Sequence, residues 1–376
     1  MNKKIIYLIL FVLLASVLCY LNKENIAEYF ANKEWEIVET TGSTTLDNYY
    51  SIDGTSSNLI VVGNNYIHGY SDDAKLNFDE SVSLKNSITD SMGDYCIVGE
   101  KDGAKIYMLC ANVKIWESEV QGTIHAVSVN KNGYAAVIYK QTGYKNLIKI
   151  LSPQGEEVFT SYLASTYAID AEISNDNKEL AIAEINAEGI TAEAKLKIID
   201  INNPEEKNIK VYSMGDESLV TNIEYTNKNE LFVQTDLNIK VLKNNELNVV
   251  GQEFNDNTYY ASVENQNHAV VVSKVENGLF DTKYKVAILD ADGKENEYIA
   301  EKMPTLLKTQ KNNIAIVIEN KLLVINIHGK LVRRSELSGN IKDVSFFRDG
   351  NSIAIIYRDK IEFIKDVWNT IFIKGG

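Results

Sequence analysis

The chain has 376 residues, of which 45% are hydrophobic, and its 38 basic and 52 acidic side chains give a formal net charge of −14. This apolar content is enough to bury a large core, which excludes a disordered chain. All four arginines lie near the C-terminal end, at Arg333, Arg334, Arg348 and Arg358. An acidic, arginine-poor surface is a poor match for phosphate backbones, so the composition disfavours a nucleic-acid partner.

Residues 5–21 form an uninterrupted apolar segment that follows Lys3 and Lys4. Three interpretations compete: a cleaved signal peptide, a lipoprotein signal that uses Cys19, and an uncleaved signal anchor. No small-residue cleavage site follows the segment, and Leu18 does not suit a lipoprotein signal. The sequence therefore predicts a single transmembrane helix within residues 1–21. Because the lysines precede it, we expect a cytoplasmic N-terminus and an extracytoplasmic domain at the cell membrane.

A polar segment, residues 22–33, is predicted to be a short stalk, and residues 34–376 a single folded domain. The domain begins with an isolated strand, Glu34 to Thr40, which has no hairpin partner nearby. We expect this strand to complete the last repeat of the domain, since the repeat that begins at Ile341 is followed only by a short tail. The rival is that residues 368–374 of the tail complete that repeat themselves.

Short apolar hairpins recur along the domain, and residues 127–139 are the clearest example. Two alternating apolar runs there flank an Asn-Lys-Asn-Gly turn. Equivalent hairpins recur about 42 residues apart, which is the period of four-stranded propeller blades. The sequence predicts an all-β domain, a β-propeller of eight four-stranded blades, with seven blades as the alternative. The expected blades span residues 48–86, 87–121, 122–165, 166–217, 218–256, 257–302, 303–339 and 340–376.

Residues that could carry chemistry are sparse, and no metal site or cofactor is expected. The four histidines, His68, His125, His268 and His328, fall in different repeats. Asp290 and Asp292 begin a segment like a calcium loop, but Lys294 brings a positive charge to its fifth position. We therefore expect a β-turn there, with Gly293 at positive φ. The same turn chemistry is expected of the Asn-rich segments between strands.

Cys96 and Cys110 flank a turn in neighbouring strands. They either face each other across the hairpin as a disulfide or lie in the core as small free thiols. The choice depends on side-chain register, which the sequence alone does not fix.

The whole-chain pattern, an N-terminal apolar segment followed by about eight degenerate hairpin repeats, resembles membrane-anchored β-propeller proteins of clostridium-type Gram-positive bacteria. That family has no assigned function. The repeats are more distantly similar to WD40-like and quinoprotein-like propellers. The Gly-His and Trp-Asp pairs of WD40 blades are missing, and Trp35, Trp116 and Trp368 do not recur at one blade position. The resemblance therefore implies the propeller fold without a quinone cofactor.

The leading functional prediction is a non-enzymatic scaffold that presents one face of the ring to a protein or cell-envelope partner. Two alternatives stay open: an extracytoplasmic glycan or peptide hydrolase or lyase that uses carboxylates of the central channel, and a ligand sensor without chemistry. The side chains that line the axial channel distinguish an enzyme from a scaffold. Converging polar groups with shifted pKa values favour the enzyme, and a channel plugged by apolar residues favours the scaffold.

Loop lengths predict where a partner binds. The connections between the second and third strands of a blade all lie on one face of the ring. They are longest in the third, fourth and sixth blades, at residues 140–146, 185–195 and 275–285. Long loops on a rigid scaffold commonly carry binding residues. Their apolar side chains, Tyr144, Ile190, Leu279 and Phe280, are the predicted binding residues, with tolerated surface insertions as the alternative explanation.

Overall fold

The structure is a computed structural model that describes residues 40–45, 48–189, 191–215, 218–265, 267–277, 281–348, 350 and 352–365. In these residues, 32 strands form eight four-stranded antiparallel sheets, and one 3-10 helix spans Glu206–Asn208. The predicted transmembrane helix and stalk, and the rival closing segment 368–374, lie outside the described residues. Among those that are described, no helix is both long and apolar enough to cross a membrane.

Each of the first seven sheets is one continuous piece of chain, with its strands side by side in chain order. The first blade contains β2 (Tyr49–Gly54), β3 (Leu59–Gly63), β4 (Tyr66–Tyr70) and β5 (Leu76–Ser81). The second contains β6 (Ile88–Met92), β7 (Tyr95–Gly99), β8 (Lys105–Cys110) and β9 (Val113–Glu119). The third contains β10 (Thr123–Val129), β11 (Ala135–Lys140), β12 (Asn146–Leu151) and β13 (Glu157–Leu163).

The fourth blade contains β14 (Tyr167–Ile173), β15 (Glu179–Asn186), β16 (Glu193–Asp200) and β17 (Lys210–Ser213). The fifth contains β18 (Val220–Tyr225), β19 (Leu231–Thr235), β20 (Ile239–Lys243) and β21 (Glu246–Val250). The sixth contains β22 (Thr258–Asn265), β23 (His268–Asn277), β24 (Asp281–Asp290) and β25 (Glu295–Ala300). The seventh contains β26 (Leu306–Gln310), β27 (Asn313–Ile318), β28 (Lys321–Asn326) and β29 (Leu331–Glu336).

The eighth blade joins the two ends of the described chain. It contains β30 (Asp343–Phe346), β31 (Ser352–Ile356), β32 (Lys360–Lys365) and, as its outermost strand, β1 (Thr40–Thr45). The prediction that a strand from the N-terminal side completes the last blade is thus confirmed. The strand lies further along the chain than expected, sharing only Thr40 with the predicted segment.

The first strand of every blade contacts the first strand of the next, and β30 contacts β2, so the eight sheets close into a ring. The prediction of an eight-bladed all-β propeller is confirmed, and the seven-bladed alternative is wrong. Between neighbouring blades the second strands bury continuous apolar runs, such as Leu59–Gly63 and Ser352–Ile356. A strand that is packed on both faces has a continuous apolar sequence, which explains why an apolar run recurs in every repeat.

The topology gives the ring two different faces. One consists of the hairpin turns between first and second strands and between third and fourth strands; we call it the turn face. The other consists of the connections between second and third strands and of the linkers between blades; we call it the loop face. In the fourth and sixth blades, most of the predicted long loop is hairpin instead, because strand pairing continues to Asn186↔Glu193 and to Asn277↔Asp281.

Cys96 and Cys110 are both free thiols. In the β7–β8 pair, Cys96 lies opposite Leu109 and Cys110 lies opposite Tyr95. The two cysteines are thus one position out of register, so their side chains point to opposite faces of the sheet. Cys96 is buried between the first two blades, where burial raises the pKa of its thiol.

Candidate functional site

One residue of each innermost strand occupies the same register position beside the axis of the ring. It pairs with a buried residue of the second strand that packs against the next blade; Asp53 opposite Ile60 and Glu224 opposite Phe232 are examples. All eight residues at this position are polar. We call them the axial ring: Asp53, Asp90, Ser128, Glu172, Glu224, Ser262, Lys308 and Ser345.

The carboxyl groups of the axial ring approach one another closely enough to shift their pKa values. Burial, and then the charge of Asp53, raise the pKa of Asp90 to about 7. Burial and the charge of Glu224 raise the pKa of Glu172 well above its usual value. Glu224 is raised likewise, by burial and by Asp90, which lies three blades away. Carboxyl groups from separate blades therefore converge on the axis, where they are half-buried and still touch solvent.

Asp90 of the axial ring and Asp170, two residues before Glu172 on β14, have an evident structural role. Asp90 accepts a hydrogen bond from the backbone N–H of Val129 at 2.7 Å, and Asp170 accepts one from Ile223 at 3.0 Å. In both cases the donor belongs to the innermost strand of the next blade. That strand is a sheet edge with unpaired backbone groups, and a carboxylate from the neighbouring blade satisfies them. Asp90 and Asp170 thus join adjacent blades.

Glu172 and Glu224 differ from these two aspartates. Within the described part of the chain, neither side chain has a hydrogen-bond or ion-pair partner. They occupy equivalent positions on β14 and β18, the innermost strands of adjacent blades, which contact each other. The fourth and fifth blades therefore present a pair of neighbouring carboxyl groups, neither of which has a structural partner, to the axial space.

Arg348 lies at the turn-face end of the axis, on the side of the ring opposite Glu172 and Glu224. Its Nε donates to the Gly54 carbonyl at 3.1 Å and to Ser91 Oγ at 3.2 Å, and its Nη1 donates to Gln310 Oε1 at 2.9 Å. Its Nη2 lies 3.7 Å from Asp53 Oδ1. One side chain thereby links the eighth blade to the seventh, first and second.

Asparagine side chains connect neighbouring blades on the turn face. Asn130 Nδ2 donates to the Ser174 carbonyl at 3.0 Å, and Asn175 Nδ2 donates to the Thr226 carbonyl at 3.0 Å. Asn313 Nδ2 donates to the Gly350 carbonyl at 2.9 Å. The prediction that the Asn-rich segments are turns is confirmed, and the structure adds that they join one blade to the next.

The remaining sequence candidates form turns or ordinary surface contacts. Gly293 has φ +78°, and Asp290 accepts hydrogen bonds from the backbone of Asp292 and Lys294, so the β-turn is confirmed. The His68 ring stacks on Tyr66 with centroids 4.2 Å apart. In the residues that the structure describes, no group of three or more His, Cys, Asp or Glu side chains is arranged to hold a metal ion.

Exposed apolar side chains gather on the loop face. Tyr144 is 40% exposed, and its ring centroid lies 5.2 Å from that of Tyr162. Next to them, the Lys145 ammonium lies 5.0 Å from the centroid of the Tyr167 ring. We call Tyr144, Tyr162 and Tyr167 the tyrosine cluster. The same face exposes further large apolar side chains, namely Tyr50, Ile169, Leu219, Leu237, Tyr259, Tyr260 and Met303.

Of the four predicted binding residues, the structure describes only Tyr144, which lies exposed on the predicted face. Ile190, Leu279 and Phe280 lie outside the described residues. Sequence reasoning missed the axial ring, Arg348, and the aromatic partners of Tyr144. The sequence did contain a signal for the axial ring. Acidic residues occur within the short strands Ile88–Met92 and Tyr167–Ile173, although a buried strand is normally apolar.

The fold and its axis define an eight-bladed β-propeller whose axial ring is polar and holds four acidic side chains. A family model described as a family of unknown function, DUF5711, matches residues 25–365, so the chain belongs to that family. This agrees with the expectation of a propeller family without assigned function. No curated protein matches the chain.

Solved structures share the fold at low sequence identity. BamB from Moraxella catarrhalis is 12% identical, with a TM-score of 0.51 over 88% of this chain and 100% of that one. The C-terminal WD40 domain of Sif2 is 13% identical, with a TM-score of 0.58 over 88% and 99%. The dihydro-heme d1 dehydrogenase NirN is 11% identical, with a TM-score of 0.54 over 87% and 79%. At these identities the likeness establishes the propeller fold alone.

Proposed function

We propose that this protein is a non-enzymatic scaffold, anchored in the cell membrane by residues 5–21, that binds a protein partner on its loop face. The observation that carries the proposal is the concentration of exposed aromatic side chains on that face. Tyrosines are enriched at protein interfaces because they bury a large area at a low entropic cost. The turn face, in contrast, carries hydrogen-bonded asparagine turns.

The course of the chain supports a membrane-distal binding surface. β32 runs from the loop face to the turn face, and β1 pairs with it in the antiparallel sense. Thr40, where the described chain begins, therefore lies at the turn face, and so does Lys365, where it ends. An anchor that precedes Thr40 would approach the ring from this side. In this arrangement the turn face lies toward the membrane and the loop face is free for a partner.

The binding surface is tested by replacing Tyr144, Tyr162 and Tyr167 together with serine. We expect an unchanged fold and the loss of whatever protein cross-linked membranes yield with the unaltered chain. The matched control replaces Leu76, Val113 and Val158 with serine, since these exposed apolar residues start outermost strands near the turn face. Recovery of the same partner by the tyrosine variant would contradict the proposal.

The membrane topology is tested with a tag at the C-terminus. A protease added to intact protoplasts should remove the tag, because the lysines before the apolar segment favour a cytoplasmic N-terminus. A protected tag would contradict the extracytoplasmic placement while leaving the binding surface untested by that result, which is why the two experiments are separate.

A second function, glycan hydrolysis in the axial channel, is favoured by one observation. Glu172 and Glu224 are neighbouring carboxyl groups with raised pKa values. Glycosidases use such pairs, one protonated and one ionised. The test is whether the unaltered chain releases reducing ends from purified cell-wall glycan and whether Glu172→Gln abolishes that activity. Both results together would show that the protein is a glycan hydrolase and not a non-enzymatic scaffold.

A further inference from the structure

We propose that a lysine- or arginine-bearing segment of the protein partner enters the axial channel from the loop face. This inference rests on the proposed scaffold function and specifies the chemistry of its partner.

Acidic side chains outnumber basic ones along the axis. The axial ring holds the carboxyl groups of Asp53, Asp90, Glu172 and Glu224 against the single ammonium of Lys308. The neighbouring register position toward the loop face adds two more carboxyl groups, those of Asp170 on β14 and Asp343 on β30. Arg348 is the only other cation placed at the axis in the described chain. A positively charged occupant would complement this excess.

The fourth and fifth blades form the side of the axis that has no cation within hydrogen-bond distance. Arg348 donates hydrogen bonds to Gly54, Ser91 and Gln310, in the first, second and seventh blades, and it acts on Glu224 only through its charge. In an eight-bladed ring, Glu172 and Glu224 lie across the axis from that group. A half-buried carboxylate without a hydrogen-bond donor is costly, and an inserted ammonium or guanidinium would supply donors and charge together.

The occupant would enter from the loop face. Arg348 and its hydrogen bonds lie at the turn-face end of the axis, whereas Tyr50, Tyr167 and Tyr260, near the starts of innermost strands, lie at the loop-face end. Aromatic faces attract cations, as the pairing of Lys145 with Tyr167 already shows within this chain. A basic segment would therefore meet tyrosine rings first and carboxylates deeper in the channel.

The test measures binding of a fluorescent peptide, Gly-Ser-Lys-Gly-Arg-Gly-Lys-Ser-Gly, to the full chain in detergent at low ionic strength. Glutamines replace the three cations in the control peptide. The double variant Glu172→Gln, Glu224→Gln should weaken binding about tenfold or more. The matched variant Glu253→Gln, Glu301→Gln removes the same charge from exposed linkers of the loop face and should change affinity less than twofold.

Binding should also strengthen as the pH rises from 6 to 8. The carboxyl groups must be ionised to attract the cation. Burial first, and then neighbouring charges, raise the pKa values of Glu172 and Glu224 well above their usual value and that of Asp90 to about 7. Glu224, Asp170 and Asp90 face Glu172, while Asp90, Asp170 and Glu264 face Glu224 together with the opposing charge of Arg348. The peptide should therefore release protons when it binds.

Equal weakening by the two double variants, absence of the pH dependence, or no measurable binding by the unaltered chain would each overturn the inference. Circular dichroism would check that the variants fold. We expect them to fold, because neutral glutamines relieve the repulsion between carboxyl groups. Failure here is distinguishable from failure of the scaffold proposal. If the axial variant still recovers the cellular partner while the tyrosine-cluster variant does not, the loop-face surface stands and the channel inference falls.

Discussion

Arg348 is the residue on which closure of the ring depends most visibly. Its side chain is 17% exposed and hydrogen bonds to three other blades, and its charge opposes those of Asp53 and Asp90. Gly54 allows this closure, because a side chain at position 54 would collide with the Phe346 carbonyl. The first and last blades are thus held together at the axis by one cation and one close backbone approach.

Replacing Arg348 with methionine should lower the free energy of unfolding by about 2 kcal/mol. The variant leaves the hydrogen-bond acceptors of Arg348 without a donor and the carboxyl groups of Asp53 and Asp90 without a nearby positive charge. Urea denaturation measures the effect. Arg358→Met provides the control, since Arg358 is exposed on the loop face and its loss should change stability by less than about 0.5 kcal/mol. Equal midpoints for the two variants would show that the ring closes without Arg348.

The axial glutamates should make stability depend on pH. A carboxyl group whose pKa is raised on folding destabilises the fold once the pH exceeds the unfolded-state pKa, and the loss grows until the folded-state pKa is passed. Glu172 and Glu224 are both raised in this way. The double glutamine variant should therefore melt about 2 °C or more above the unaltered chain at pH 8 and close to it at pH 4. A higher melting temperature at pH 4 alone would contradict the assignment.

At the scale of strands and blades, much of the structure could be predicted from the sequence. Buried second strands leave contiguous apolar runs such as Leu59–Gly63, and turns rich in Asn, Asp and Gly precede them, so the blade count and blade bounds follow from spacing. The axial ring could not be predicted in the same way. Glu172 and Glu224 become equivalent only through pairing register, and bulges shift that register in both strands.

The position of the closing strand, β1, could not be predicted from the apolar pattern either. The apolar pattern favoured Glu34 to Thr40, whereas β1 spans Thr40–Thr45 and is rich in threonine. An outermost strand with exposed positions needs little apolar character, so hydrophobicity is a weak guide to it. What fixes β1 is close packing. A side chain at position 42 would meet the Asp73 carbonyl at 2.5 Å and Ala74 Cβ at 2.6 Å, so Gly42 lets the strand pack against the first blade.

Removing residues 1–45 should lower the melting temperature relative to a chain that begins at residue 24. The truncation deletes β1 and exposes the edge of β32, and it also removes the contact between the eighth and first blades at Gly42. Differential scanning calorimetry of the two chains measures the change. Equal melting temperatures would mean that β1 contributes nothing to closure of the ring.

At the scale of the whole molecule, the two faces of the ring differ in their contacts and in their exposed side chains. The turn face joins the blades through asparagine turns and Arg348, and it receives both ends of the described chain. The loop face makes fewer such links and exposes the tyrosines. In the proposed function, stability and partner binding would lie on opposite sides of the ring.

Site-specific photo-crosslinking in intact cells tests this division most directly. A benzophenone amino acid at Tyr162 on the loop face, or at Val113 near the turn face, samples two positions of nearly equal exposure, 57% and 56%. Binding on the loop face predicts a protein adduct from position 162 and none from position 113. An adduct from position 113 with none from position 162 would contradict it.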